Sequence, residues 1–481
     1  MRDVPVNDQP RNAVAREFNV RDYGAKGDGK TIDSPAINAA IDAASAAGGG
    51  TVYLPAGNYL SYSIRLKSHI RLMLDAGATI TAAFPSATAG YDEAEPNEHN
   101  SFQDFGHSHW KNSLIWAIGE EDITICGTGT ICGTGLTREE SRLKGVGNKA
   151  VSLKECNRVV MRDIRMLHCG HFALLATGIE NLTIDNLLID TNRDGLDIDC
   201  CRNVRISNCT VNTPWDDAIV LKASYGLGYF KDTENVTITN CLVSGYDQGT
   251  VADGTYGRDE PQAPDHGFVT GRIKFGTESS GGFRNIAVSN CVFDRCRGLA
   301  LETVDGGILE DITISNITMR DIVNAPIFLR LGARMRSPEG TPVGKMRRIN
   351  IDNVTVYNAD SRYASIISGI PDHYIEDVSL SNIRIFYKGG YSKEEGTLTP
   401  PENEKLYPEP WMFGTIPASV FFVRHAHNIR FHRVFASFAE DDFRPAFVLD
   451  DALRISVKDT DIALPADVKT VEIRNNATTV E

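Results

Sequence analysis

The 481-residue chain has no CxxC pair, no run of 18 apolar residues and no dense basic segment. Without paired cysteines a structural zinc site is not expected, and no metal or cofactor is called for. Without a long apolar run, no segment reads as a membrane span. Lys and Arg number 49 against 63 Asp and Glu, for a net charge of −14. Nothing basic is concentrated enough to neutralise phosphates, so a nucleic-acid partner is not expected. The opening MRDVPVNDQPRNAVAREFNV has no apolar core of a signal peptide. The chain as written therefore suits the cytoplasm, and the periplasm or exterior if a leader has been removed. The Gly-rich stretches GAKGDGK and GTGTICGTG lack the spacing of a phosphate loop and read as turns.

What is present is a repeat. A short pattern, N/D-V/I-x-I/L-x-N, reads NLTIDN from Asn181, NVRISN from Asn203, NVTITN from Asn235, NIAVSN from Asn285, DITISN from Asp311 and DVSLSN from Asp377. Weaker copies start at Asp122, Arg158, Arg348 and Asn428. The shortest intervals, Arg158 to Asn181 to Asn203, are 23 and 22 residues. Alternation with period two puts Val, Ile and Leu on one face and polar residues on the other. Such a strand cannot bury its apolar face alone, but one copy per turn of a solenoid builds a continuous core. A coil of this length fits three short strands and three turns, so an all-β, right-handed parallel β-helix is expected. Asn and Asp at the turns would bond to backbone and to one another. Of the ten cysteines, Cys209, Cys241 and Cys291 close the same pattern. They are expected as buried, stacked thiols.

Residues 1–16 read as an extension and 17–481 as one solenoid domain, with a monomer the simplest state. Asp33 or Ser34 can cap a helix from about Pro35. Ala36, Ile37, Ala40, Ile41 and Ala44 give it one apolar stripe, which would plug the open end of the solenoid. The stretch from Gly389 to Phe413, rich in Pro, Glu and Lys, reads as a long surface loop.

The densest acidic run falls in two successive coils, TNRDGLDIDC from Thr191 and NTPWDDAIVLKAS from Asn212. Asp194 and Asp216 are 22 residues apart, one coil. One coil apart means stacked, at about 4.8 Å. Asp194, Asp216 and Asp217 should form one cluster in which repulsion leaves one carboxyl protonated and another ionised. Glycoside hydrolysis needs that division. From periodicity alone, a calcium site or a solvated turn ladder explains the cluster as well.

These residues resemble glycoside hydrolase family 28, the polygalacturonases and related pectin hydrolases. FNVRDYGAKGDGKTIDSPAINAAIDAA and GGTVYLPAGNYL look like that family's N-terminal region. Asn192, Arg193 and Asp194 match its NTD motif with arginine in place of threonine, and Asp216 and Asp217 match its DD. The resemblance spans about residues 17–440. It implies an inverting hydrolase in which Asp216 is the general acid and Asp194 and Asp217 hold and deprotonate the attacking water. Trp215 beside the pair would desolvate the acid.

The later motifs depart. The stretch GTESSGG, containing Glu278, looks like the GSEMSGG of exo-acting members, and the family's histidine is missing. His266 lies several residues earlier and is the candidate to replace it. Where the family's arginine and lysine are expected, Ala300 and Glu302 stand. Arg272 and Lys274, one coil earlier, read as a relocated clamp for a substrate carboxylate. Lys222 is placed to tune Asp217 or touch substrate. His107, His109 and His171 are expected to bind sugar rather than metal. Inserts after Gly245 and around Arg330 would wall the groove into a pocket and favour exo attack. The expected activity is exo-acting, inverting hydrolysis of a galacturonate- or rhamnogalacturonan-related pectin chain. A polysaccharide lyase and a non-catalytic carbohydrate-binding solenoid are the alternatives.

Overall fold

The computed structural model describes residues 16–139, 143–259 and 269–480. The chain winds as a parallel β-helix. Each coil contributes one strand to each of three stacked sheets, and every pairing between coils is parallel. The motif strands form one sheet, running through Asn157–Arg162, Glu180–Asp185, Arg202–Ser207 and Thr233–Thr239. Three-residue strands such as Leu188–Asp190 and Thr210–Asn212 form the second. The third contains Phe172–Thr177, Asp194–Asp199, Ile219–Ala223, Ile273–Ser279 and Leu299–Thr303.

The period-two alternation sorts side chains as the sequence requires. Leu182, Ile184, Val204, Ile206, Val236 and Ile238 lie in the central core, while the residues between them point outward. The first and last positions of the motif have a separate job. Asn181, Asn186, Asn203, Asn208, Asn235 and Asn240 all have φ between 54 and 62°. Only Gly, Asn and Asp enter this left-handed region at little cost, and here it turns the chain from one sheet to the next. The side-chain amides then stack. Asn203 donates to Asn181 (3.2 Å), Asn235 to Asn203 (3.1 Å) and Asn285 to Asn235 (2.8 Å). A second ladder runs beside it, with Asn208 donating to Asp185 (2.7 Å) and Asn353 to Asn316 (2.8 Å).

The cysteines are free, and Cys209, Cys241 and Cys291 each donate to the carbonyl two residues back, at 3.2–3.3 Å. The helix spans Ser34–Ala46 and packs Ile37, Ala40, Ile41 and Ala44 into the first coils of the core. Asp33 precedes it but does not cap it. Its carboxylate accepts instead from the backbone N–H groups of Lys26 and Gly27 (2.7 and 2.9 Å), fastening the preceding loop. No helix among the described residues is long and apolar enough to cross a membrane.

Asn235→Ala should lower stability by about 1–2 kcal/mol, because alanine must hold the left-handed conformation and two ladder bonds are lost. Asn235→Gly keeps the backbone freedom and should lose less. Denaturant midpoints in the order wild type, Gly, Ala would confirm that the turn conformation carries the effect.

Candidate active site

The three aspartates converge. Oxygen atoms of Asp194, Asp216 and Asp217 lie within 4.8 Å of one another. The register differs by one residue from the expected stack. Leu196 lies beside Ile219, and the Gly195 N–H donates to the Asp217 carbonyl. Asp217 is therefore the residue in rung with Asp194, and Asp216 occupies the turn just before it. They open into a pocket of about 530 Å³, within the size range of small-molecule sites. Its wall also carries Arg193, Lys222, Lys274, Glu278, His107 and His171.

The environments of the three carboxyls separate their protonation. Burial pushes Asp194 well above the usual carboxylate range, and the nearby Asp197 and Asp216 add to this. Asp216 is also raised by burial, against the pull of Arg193, which donates to it at 2.8 Å. Asp217 goes the other way. Burial opposes ionisation, but Lys274 and Arg272 outweigh it and hold the carboxyl down at about 2. Arg272 Nε donates to Asp217 at 2.9 Å, and Lys274 Nζ lies 3.4 Å from it.

Beneath Asp194 lies a buried ionic network. Lys222 Nζ is 3.2 Å from Asp197, 3.4 Å from Glu278 and 2.5 Å from His107 Nε2. The same His107 nitrogen lies 2.9 Å from Asp197. Burial and Lys222 push His107 down, but Asp197 and Glu278 leave it raised overall. His171 sits 3.6 Å from Asp194, and burial next to Arg193 pushes it well below the ordinary value, keeping it neutral. His171 stacks on Phe172, with ring centroids 4.3 Å apart.

Several expected site residues lie elsewhere. Arg272 does not face the pocket. Only 2% exposed, its guanidinium is bound by Asp217 on one side and Glu409 on the other. Lys274 does reach the pocket, but it is engaged by Asp217, by Glu302 (3.5 Å) and by the Tyr407 hydroxyl (3.1 Å). The pair therefore serves the aspartate rather than standing as a vacant carboxylate clamp. Glu302 is fully buried behind them, and burial raises it to about 7 against Lys274 and Arg272. His109 stacks on Phe105 and shares a 2.9 Å bond with its carbonyl, beside a different pocket. Trp215 packs under the Arg138 guanidinium, away from the pocket wall, and its backbone N–H donates to the Asn192 carbonyl (2.8 Å). Asn192 is buried behind the turn, off the wall. His266 lies outside the described residues.

The long loop from Gly389 supplies what sequence reasoning missed. Its middle is pulled back over the groove by two buried arginines. Arg330 donates to the Glu402 carbonyl (2.9 Å), and Arg424 to those of Pro400 and Pro401 (2.7 and 2.9 Å). Glu409 then reaches Arg272 and, at 2.9 Å, Arg297. Tyr407 and Trp411 become part of the pocket wall. An acidic residue flanked by two prolines and aromatics, YPEPW, was the available signal. The insert near Arg330 also approaches, since Arg336 pairs with Asp104 on the rim at 2.8 Å. The described part of the insert after Gly245 does not line the pocket. Its backbone N–H groups at Gly249, Val251 and Ala252 are held by the Asp190 carboxylate instead.

Comparison with known proteins agrees with the fold. A family profile described as "Rhamnogalacturonase A/epimerase, pectate lyase-like" matches residues 17–156, and one described as "Right handed beta helix region" matches 106–258. A probable polygalacturonase of Vitis vinifera is 24% identical over 429 residues, 84% of this chain and 81% of that protein. The structure of a family 28 exopolygalacturonase of Yersinia enterocolitica superposes with a TM-score of 0.63 at 18% identity, covering 96% of this chain and 78% of that one. A segment of 43 residues is 74% identical to an alginate lyase of Azotobacter vinelandii, but this is 9% of the chain and 5% of that protein. The chain is a right-handed parallel β-helix glycosidase. Over most of its length it is similar to polygalacturonases at about a quarter identity.

A carboxyl whose folded pKa is raised stabilises the protein below its unfolded value and loses that contribution as pH rises through the folded one. Asp194→Asn should therefore raise the unfolding midpoint at pH 7, and the gain should vanish near pH 3, where the wild-type carboxyl is already neutral. Activity should be lost at both. A midpoint at pH 7 equal to or below that of wild type would contradict the burial argument.

Proposed function

We propose that this protein hydrolyses a glycosidic bond of a pectin-type oligo- or polysaccharide, acting from a chain end. The observation that carries the reading is the convergence of Asp194, Asp216 and Asp217 in one pocket with opposed protonation. Asp216 is the most exposed of the three, 26% against 4% and 6% for Asp194 and Asp217. Raised and accessible, it donates its proton to the leaving glycosidic oxygen. Asp217, ionised throughout the working range, orients a water. Asp194, beside it, accepts the proton as water adds to the anomeric carbon. The old C–O bond breaks, one proton enters the leaving alcohol and one leaves the water, so the reaction balances with water alone.

The stereochemical outcome needs its own argument. Inverting enzymes that work across two facing carboxyls hold them about 6.5–9.5 Å apart, and these oxygens are closer. The nucleophile role nevertheless suits none of the three. Asp217 is occupied by Arg272 and Lys274, Asp194 is the base, and Asp216 is the acid. We therefore infer direct attack by water and inversion. The pocket rim closed by Asp104 with Arg336, and the loop bearing Tyr407 and Trp411, support exo attack. A calcium-dependent lyase would need these carboxylates for the cation, but Arg193 already engages Asp216, and Arg272 and Lys274 engage Asp217.

Asp216→Asn should cut kcat about 10²–10⁴-fold with substrate binding kept. Proton NMR of the first product should show the anomer opposite to the substrate's. Retention of configuration, or an unsaturated product that disappears with chelator, would refute the mechanism.

A further inference from the structure

A guanidinium holds its N–H donors in one plane, so fixing one edge aims the others. Arg272 gives both Nη atoms to the Glu409 carboxylate, Nη1 at 3.3 Å, and its Nε edge to Asp217 Oδ1 at 2.9 Å. The bond to Asp217 has one donor and by itself leaves the guanidinium free to pivot. The two-donor fork on Glu409 removes that freedom. Arg272 and Glu409 are 2% and 1% exposed, so water does not compete for either bond. Glu409 does not line the pocket, and it reaches the reacting groups only through its partners.

Glu409 is in turn held on several sides. Arg297 Nη1 donates to it at 2.9 Å and Asn324 Nδ2 at 3.3 Å. Its own N–H donates to the Tyr407 carbonyl (3.0 Å), and its carbonyl accepts from the Met412 N–H (2.9 Å). Met412 and Phe413 enter an apolar cluster that contains Ala300, Phe328 and Ile366. Burying those two side chains seats the loop, and the seated loop places the carboxylate. Three cations, Arg272, Lys274 and Arg297, thus meet three acids, Asp217, Glu302 and Glu409. A buried cation that loses its acid is strongly disfavoured. Without Glu409, Arg272 would turn its Nη donors onto Asp217 and cover the lone pairs that should hold water.

We infer that Glu409 is a positioning residue for hydrolysis. It holds Arg272 so that the guanidinium engages Asp217 through Nε alone, on Oδ1, and leaves the other oxygen to Lys274 and the attacking water. This rests on the hydrolytic reading of the same site. It also makes the water-holding side of the site complete only when the loop is seated.

The test compares the full-length enzyme and its variants on one pool of pectin oligosaccharides. Initial rates are read as new reducing ends, and thermal melts check folding. Glu409→Gln should cut kcat about 10–100-fold and leave KM within about threefold. Arg272→Gln should cost a similar factor, and the double variant no more than the worse single, because one residue acts through the other. Losses that multiply in the double variant, or a raised KM with kcat kept, overturn the inference and leave Glu409 a fastener for the loop. Should Glu409→Gln fail to fold, Glu409→Asp keeps the charge and draws the carboxylate back. It should lower kcat severalfold at unchanged KM, and a wild-type kcat there overturns the inference. Active wild type with unaffected variants defeats this inference alone. Wild type that releases no reducing ends defeats the hydrolytic reading and this inference with it.

Discussion

Parallel strands repeat at about 4.8 Å from coil to coil, and that spacing forces like positions of successive coils into contact. The rest of the molecule follows from how each column meets this demand. Columns facing inward must be apolar, which Leu182, Val204 and Val236 satisfy. Columns at the turns must take a left-handed backbone, which asparagine tolerates, and its amide then bonds to the next copy. Columns on the third sheet carry charge, and in a column equal charges would repel. At two rungs residues of opposite charge are neighbours. Asp199 lies in register with Lys222, and Glu302 with Arg330.

At the site charge is gathered to excess. More acids than bases are gathered in one buried place, and each acid is set by the cation nearest to it. Asp217 has two cations and stays ionised. Asp194 has none bonded to it and is raised. Such an arrangement is locally destabilising, as sites for acid–base chemistry tend to be. Its support comes from far along the chain. Glu409 anchors Arg272 and Arg297, and Arg330 and Arg424 anchor the loop that carries Glu409. Polarising Asp217 therefore depends on contacts several coils away, in the manner of groups that orient the residues doing the chemistry.

The β-helix, the ladders, the free buried thiols and the aspartate cluster were all legible because each is written in the repeat. The motif copies from Asn181 to Asp377 fix both the strands and the turns. Asp194 and the Asp216–Asp217 pair come together because they are about one coil apart. Exact register was not legible. Turn geometry shifts the offset between coils by one residue, so Asp217 takes the rung that simple counting gave to Asp216. Arg272 and Lys274 leave the core on either side of the buried Ile273, as period-two alternation requires. Their partners were not readable, because Glu409 arrives from 137 residues away. His109 was misplaced for a similar reason, since its stacking on Phe105 is local to a loop that has no periodicity to constrain it.

By itself the sequence determined the coil, the polarity of each sheet face and the meeting of the three aspartates, because a periodic pattern has one packing that buries it. Tertiary structure alone decided which cations neutralise which acids and how the long loop closes over the groove. Those choices depend on desolvation and on distances between residues with no fixed separation along the chain. In such a site charge is set by whichever group is brought within a few ångströms once water is excluded.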